Sequence, residues 1–462
     1  MPEEVKPTIV PSAAKQVGEI HGRWSWVEPS VWTERMLTAL ETGVKGGKWF
    51  SLIDKVYRKS NLQSAFYRVE ANRGAAGVDH QTITRFSHRL SENLAYASAS
   101  LESRTYRPRA IKRVWIPKPG SKEKRPLGIP TVLDRVIQTA LRNVLEPIFE
   151  RDFAEHSYGF RPLRGCKDAL RRVDELLKAG YNWVVDADLK SYFDTIPHDR
   201  LMDRVREKVA DSRVLELIGM YLRQEVLEDV SSWTPETGSP QGAVISPLLS
   251  NIYLDPLDHK MADAGHEMIR YADDFVILCR SESQARKGLR EVAKWCEEFK
   301  LKLHPEKTKI VDAAQRGGFD FLGYHFERGY KWPSDKSVNK FKDAIRAKTR
   351  RCNGHSLDTI IAKVNQTTQG WFAYFKHSHY TTFGKHDGWI RMRLRSILRK
   401  RIHLKGRGRG KDHHRWPNAY FAEHGLFSLA TTHEQLVNPR GGKTTNWRAV
   451  CGRTARTVRR EG

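Results

Sequence analysis

Tyr271-Ala272-Asp273-Asp274 sets two adjacent carboxylates between apolar flanks, Met268-Ile269 before and Phe275-Val276-Ile277-Leu278 after. Short apolar runs on either side of a polar break read as a β-hairpin with acid at its tip. Upstream, Trp183-Val184-Val185-Asp186-Ala187-Asp188-Leu189 is a second strand-like run that ends in acid, with Phe193-Asp194 close behind. Paired in one sheet, the two elements would bring Asp188, Asp273 and Asp274 together around one or two Mg²⁺ ions. Mg²⁺ is a hard cation that takes oxygen ligands and suits phosphoryl chemistry. The expected activity is nucleotidyl transfer.

The order of elements around this pair supports one sheet. The strand at Trp183 to Leu189 is followed by a helix predicted from His198 to Val209, the hairpin from Met268 to Cys279, a helix from Ser283 to Lys300 and a strand from Lys309 to Asp312. Leu289, Val292, Ala293, Cys296 and Phe299 recur at helical spacing and give that last helix one buried face. Strand, helix, hairpin, helix, strand is the order of a split β-α-β sheet, which would seat Asp188 beside the Asp273-Asp274 turn.

Earlier in the chain, Trp49 to Asn72 is helical in pattern, and the two glycines of Asn72-Arg73-Gly74-Ala75-Ala76-Gly77-Val78-Asp79 break it. Val114 to Lys118, a Pro119-Gly120-Ser121 turn and basic Lys122, Lys124 and Arg125 read as a hairpin, and Val132 to Phe149 as a helix. In Gly238 to Asn251, Ser246-Pro247 is a helix start, and Pro240-Gln241-Gly242 is a bend whose small residues let a ligand approach the backbone. Residues 1–50, with Trp24, Trp26 and Trp32, are read as an N-terminal extension.

At 462 residues, 39% hydrophobic and 29% charged, the chain is globular in composition, long enough for two or three domains and basic, with a net charge of +26. The charge is uneven. Residues 331–462 hold 29 Lys and Arg against 8 Asp and Glu, leaving a net +5 for residues 1–330. Such a distribution points to a polyanion whose binding weakens with salt. Trp371, Phe372, Tyr374, Phe375, Trp389 and Trp416 interleave with that charge and are expected to stack on bases. Five scattered cysteines without a C-x-x-C pair indicate neither a disulfide framework nor a zinc module. No run reaches the roughly eighteen apolar residues of a membrane span, so the expected location is cytoplasmic, in a nucleoid or ribonucleoprotein particle.

Beyond Trp332, Lys340 to Arg351, Leu357 to Phe375 and Gly388 to His403 read as basic amphipathic helices, and Gly406 to Lys411 as a flexible basic linker. The domains expected are therefore residues 1–50, 51–330, 331–404 and a basic tail, 405–462.

These segments together resemble the group II intron-encoded reverse transcriptases and maturases. Seven blocks in order carry the resemblance: Gly77-Val78-Asp79; Tyr106-Arg107-Pro108 through Ile129-Pro130; Ser157-Tyr158-Gly159-Phe160-Arg161-Pro162; Asp188 through Asp194; Ser239 through Asn251; Tyr271 through Asp274; and Leu303 to Lys307 with Phe321-Leu322-Gly323-Tyr324. The resemblance implies an α+β right-hand polymerase, with fingers and a palm built on a split β-α-β antiparallel sheet, then an all-α basic thumb or maturase module and a basic tail. It makes Asp188, Asp273 and Asp274 the catalytic, metal-binding triad, served by two Mg²⁺ with Mn²⁺ as a workable substitute. Phe193 becomes a gate against a 2′-hydroxyl. Lys118 and Arg125 would hold the incoming triphosphate, Leu189 and Gln241 would line the nucleotide and nascent base pair, and Lys307 would neutralise the leaving group. Gln369 to Phe375 is similar to the maturase signature, which implies RNA contacts from Gly370, Trp371, Tyr374, Lys376, Arg391 and Arg395. Asp186 and Asp194 read as structural or solvent-facing, and His156 and His198 as structural.

What the resemblance implies of function is an RNA-directed DNA polymerase that binds its own group II intron RNA and assists its splicing and reverse splicing. It would copy the intron into cDNA during retrohoming, with an RNA template, a DNA primer, target DNA and dNTPs as partners, no membrane, and homodimerisation left open. Many relatives end in an H-N-H endonuclease with paired C-x-x-C motifs. Cys451 is the only cysteine after Cys352, so no endonuclease activity is expected. Two other readings stand beside this one: a domesticated reverse transcriptase serving a non-coding RNA in defence or beside a CRISPR locus, and a splicing-only maturase without polymerase activity.

Overall fold

The computed structural model describes residues 22–117, 124–228, 231–352, 354–406, 408 and 410–438. The chain divides into two compact units. The first runs to Leu322 and includes Glu327–Gly329; the second is Gly323–Phe326 with the residues from Tyr330 onward.

Strands are numbered along the chain: β1 Ile111–Pro117, β2 Lys124–Ile129, β3 Trp183–Asp188, β4 Val226–Glu228, β5 Ser231–Trp233, β6 Glu267–Tyr271, β7 Asp274–Cys279 and β8 Lys309–Asp312. In the first unit β6, β7, β3 and β8 form one antiparallel sheet in that order, the split β-α-β arrangement expected from the sequence. Phe275 to Cys279 is buried throughout, as suits a strand covered on both faces. A second sheet, β2-β1-β4-β5, holds the expected basic hairpin, with β1 and β2 antiparallel and β1 parallel to β4.

The helix Glu282–Glu298 covers β3 and β7 and begins at Ser281, whose hydroxyl accepts from Gln284 N. Its buried face is Ala285, Gly288, Val292, Trp295 and Cys296, whereas Ala293 is exposed. The inward stripe is thus turned towards Trp295, which stacks on Phe299 with ring centroids 4.1 Å apart. An indole offers far more apolar surface than a methyl, so it takes the inward position.

The helix Val132–Glu150 is buried nearly all round and passes through the core of the first unit. Its polar residues are paired inside: Asn143 Nδ2 donates to Asn61 Oδ1 at 2.8 Å, and Asn61 Nδ2 donates to Ala140 O at 3.1 Å. Trp32 Nε1 donates to Asn143 O at 2.9 Å, and Trp24, Val27, Val31, Leu37 and Leu40 lie in the same core. The described part of residues 1–50 is therefore core and not an appended extension. Trp24 and Trp32 are buried, each carrying a large apolar body with one N–H to satisfy, and Trp26 and Trp49 are partly buried against the same core.

The second unit contains the helices Asp335–Lys348, Leu357–Phe375 and Thr381–Arg401, which enclose Phe341, Ile345, Ile360, Val364, Ile390, Leu394 and Ile397. The module does not stop at residue 404. Trp416 and Phe421 belong to the same core, and Leu429 is fully buried against Phe372 and Phe383. Arg399 pairs with buried Asp412 at 2.7 Å. Asp387 accepts from Leu429 N and Ala430 N, both at 3.0 Å, and so tethers the start of the helix Leu429–Val437. From Gly410 to Val437 the expected basic tail is folded structure; Arg407, Arg409 and its terminal arginines lie outside the described residues. No helix among the described residues is long and apolar enough to cross a membrane.

Candidate active site

Register decides where the three acids meet. In the antiparallel pairing of β3 with β7, Asp188 lies directly opposite Asp274. In the pairing of β6 with β7, Tyr271 lies opposite Asp274, leaving Ala272-Asp273 as a two-residue turn. Ala272 takes φ +61°, the left-handed conformation that tight hairpin turns demand and that a residue with a Cβ adopts at a cost. Asp273 therefore projects from the tip while Asp274 and Asp188 flank it on adjacent strands.

Charge crowding follows. Burial, then Asp186, Asp188 and Asp273, push the Asp274 carboxyl up to about 7. Asp273 is raised by burial and by Asp188, and Asp186 is raised to about 6, chiefly by burial. Lys307 forms an ion pair with Asp188, and Lys309 Nζ approaches Asp186 at 3.7 Å. Among the described residues no three acidic, histidine or cysteine side chains converge tightly enough to hold an ion as they stand. The donor set nevertheless fits a divalent cation: its ligands are all oxygen, and what burdens it is repulsion between anions that such a cation relieves.

Phe193 sits in the short helix Tyr192–Thr195, half-buried, with its ring 5.5 Å edge-on from that of Tyr192. Tyr192 is fully buried and donates its hydroxyl to Ser250 O at 2.7 Å, which anchors the helix. Phe193, Asp194, Gly238 and Gln241 share a cavity of about 590 Å³ with Arg113 and Gly128 of the β1-β2 hairpin. Asp194 thus lines the cavity and does not simply face solvent. The Pro240-Gln241-Gly242 bend is shaped by β2: Gly128 N donates to Gln241 O at 2.6 Å, and a Cβ on Gly242 would stand 2.3 Å from Gly128 O. Its small residue admits a neighbouring strand, where the sequence suggested space for a ligand.

Arg125 is exposed on β2, opposite Ile116. Lys118 lies outside the described residues. The Leu189 side chain is buried in the core, and its backbone forms an antiparallel β-bridge with Leu303, so the side chain is not available to a nucleotide. Sequence reasoning passed over Arg113, Trp115 and Trp233. The Arg113 guanidinium lies 4.6 Å from the centre of the Trp233 ring in the cavity wall, and the alternation in Arg113-Val114-Trp115 was the available signal. His156 and His198 are structural as expected: His198 Nε2 is 2.6 Å from Gly238 O and His156 Nδ1 is 3.4 Å from the Tyr158 hydroxyl.

In the second unit, Gly370 is exposed, and Tyr374, Lys376 and Arg391 are partly exposed. Two of the expected RNA contacts are engaged within the unit, Trp371 partly buried and Arg395 almost wholly. Trp371 stacks on Phe341 at 4.6 Å and packs edge-on against His386 at 5.4 Å. Arg395 is only 2% exposed, donating from Nε to Trp416 O at 2.9 Å and from Nη2 to Asn418 Oδ1 at 2.8 Å. Phe372, Phe375 and Trp416 are buried too, so these rings build the helical core and cannot stack on bases.

Residues 116–326 match the family described as reverse transcriptase (RNA-dependent DNA polymerase), and residues 338–416 match the group II intron, maturase-specific domain. The chain is 35% identical over 291 residues to protein YkfC of Escherichia coli K12, covering 54% of this chain and 76% of that protein. It is 39% identical over 364 residues to the group II intron-encoded protein LtrA of Lactococcus lactis subsp. cremoris, covering 64% of this chain and 58% of LtrA. Among solved structures, a chain of a Cas6-RT-Cas1–Cas2 complex aligns at 24% identity with a TM-score of 0.34, over 54% of this chain and 42% of that one.

Proposed function

The chain belongs to the group II intron reverse transcriptases with a maturase domain, and from that premise we propose that it copies its own intron RNA into DNA during retrohoming, besides assisting that RNA's splicing and reverse splicing. Family membership supports RNA-directed DNA polymerase activity and a maturase role. The observation that carries the catalytic part of this reading is the register that sets Asp188 opposite Asp274 with Asp273 at the adjoining turn.

In this reading Asp188, Asp273 and Asp274 hold two Mg²⁺ or Mn²⁺ ions. When bound, the ions supply Lewis acidity at the attacking hydroxyl and neutralise charge on the leaving group. The protein's own groups do the rest. Phe193 closes the cavity floor beneath the sugar and excludes a 2′-hydroxyl, so dNTPs are preferred. Arg125 and Lys118 hold the triphosphate, Arg through a planar fork and Lys as a point charge. Gln241 and the Leu189 backbone line the nascent pair, and Lys307 offers positive charge beside the triad as pyrophosphate departs. Partly exposed Tyr374, Lys376 and Arg391, with the backbone at Gly370, contact RNA; target DNA and a DNA primer complete the set of partners.

Primer extension with dTTP on poly(rA)/oligo(dT) tests the reading. Mg²⁺-dependent extension, strongly reduced with ribonucleotide, is the expected result; a folded protein that binds RNA but never extends would mark a splicing-only maturase.

A further inference from the structure

Three of the sequence blocks meet at one buried side chain that the catalytic account leaves unused. Arg270 precedes the Tyr271–Asp274 turn on β6 and is 1% exposed. Its Nε donates to both oxygens of Asp258, at 2.8 and 3.0 Å, and Nη2 also bonds that carboxylate. Its Nη1 donates to Ala272 O at 2.9 Å and to Asn251 Oδ1 at 3.0 Å. Asn251 in turn donates from Nδ2 to Gly159 O at 2.8 Å. The backbone of Arg270 is held from the same side: its N donates to His156 O at 3.0 Å, and Tyr158 N donates to its carbonyl at 2.9 Å.

Ala272 is the residue held in the left-handed conformation, and its carbonyl is the one the guanidinium grips. Strain of that kind persists only where surroundings over-determine it. The Ser157–Pro162 loop packs closely against the same turn, because a Cβ on Gly159 would stand 2.2 Å from Ala272 N. Arg161 fixes that loop through Glu150, with its closest contact at 2.8 Å, and through Ser157 O at 2.8 Å.

We propose that Arg270 is a positioning residue for polymerisation: paired with Asp258 and braced by Asn251, it holds the Ala272 carbonyl while Gly159 packs against the Tyr271–Ala272 peptide, and so fixes where Asp273 and Asp274 point. This rests on the triad reading given above. A planar fork is what the task requires, since one group must satisfy a carboxylate, an amide oxygen and a backbone carbonyl at once. Lysine keeps the positive charge beside Asp258 but cannot reach all three acceptors.

The test compares Arg270→Lys and Gly159→Ala with the wild-type chain in primer extension. The second variant presses on the turn from outside and leaves the buried ion pair whole. Expected for both are a wild-type affinity for template-primer, an unchanged KM for dTTP and a kcat lowered about 10–100-fold, the scale set by displacing catalytic groups by about 1 Å. Folded variants with wild-type kcat would overturn the assignment while leaving the polymerase reading intact. Loss of kcat, KM and template affinity together, or loss of fold in both variants, would also overturn it by reducing the network to stability alone. An inactive wild-type chain would instead defeat the reading on which the proposal rests.

Discussion

At the acidic hairpin, carboxylates are buried beside one another, and Asp274 is held near 7 against an ordinary value of 3.8. In the core of the second unit a base is buried instead: His386 is pushed down to about 4 by burial, with Lys342 and Lys385 adding to the effect. Both sites desolvate an ionisable group, with different consequences. His386 escapes the penalty by staying neutral between Phe341 and Trp371, and it serves as packing. The acids escape it only in part, by holding their protons to a higher pH than usual. They crowd one another at a turn that is itself strained, an arrangement costly to the resting protein and useful to one that binds cations.

The largest effect that would break this contrast is on catalysis. Asp273→Asn is expected to lower the rate of Mg²⁺-dependent primer extension by roughly 10³-fold or more. Affinity for RNA, measured by filter binding across a salt series, should be unchanged. Parallel loss of both in a folded variant would mean that the two units do not divide the work.

A smaller effect sharpens the comparison through its sign. Asp274 binds its proton more tightly folded than unfolded, so in metal-free protein its contribution to stability falls as pH rises from about 4 to about 7. His386 has the opposite slope. Its unfolded form takes up a proton near 6.5 and its folded form only near 4, so stability falls as pH drops through that window, by about 3 kcal/mol in all. The two slopes oppose each other over the same window, so melting temperatures in EDTA between pH 4.5 and 7 should rise more with pH than in the wild type in Asp274→Asn and fall more with pH than in the wild type in His386→Leu. Slopes unaffected by these substitutions would remove the electrostatic half of the argument.

The acidic hairpin and its pairing were legible because adjacent acids lie between two apolar strand-length runs, and because the order of elements placed Asp188 and Asp274 in one sheet. The phase of the helix Glu282–Glu298 was less legible, since alanine and tryptophan compete for the inward position and only packing settles it. In the second unit the same letters misled. Trp371, Phe372 and Phe375 occur at the spacing of a buried helical stripe, yet the basic residues around them suggested a stacking surface. Arg395 could not be assigned from its neighbourhood, because its acceptors, Trp416 O and the Asn418 side chain, lie 21 and 23 residues further on. Arg270 was passed over for the converse reason: a cation beside two acids suggests a charge partner for them, whereas its grip on Ala272 O and Asp258 depends on tertiary structure.

The central claim is that one chain joins a polymerase site to a module that recognises its own intron. Sequencing the RNA that stays crosslinked to the full-length protein purified from its host at high salt tests this most directly. The account predicts a long structured RNA flanking the protein's own reading frame. A short non-coding RNA, or nothing above background, would contradict it and favour a polymerase domesticated for another task.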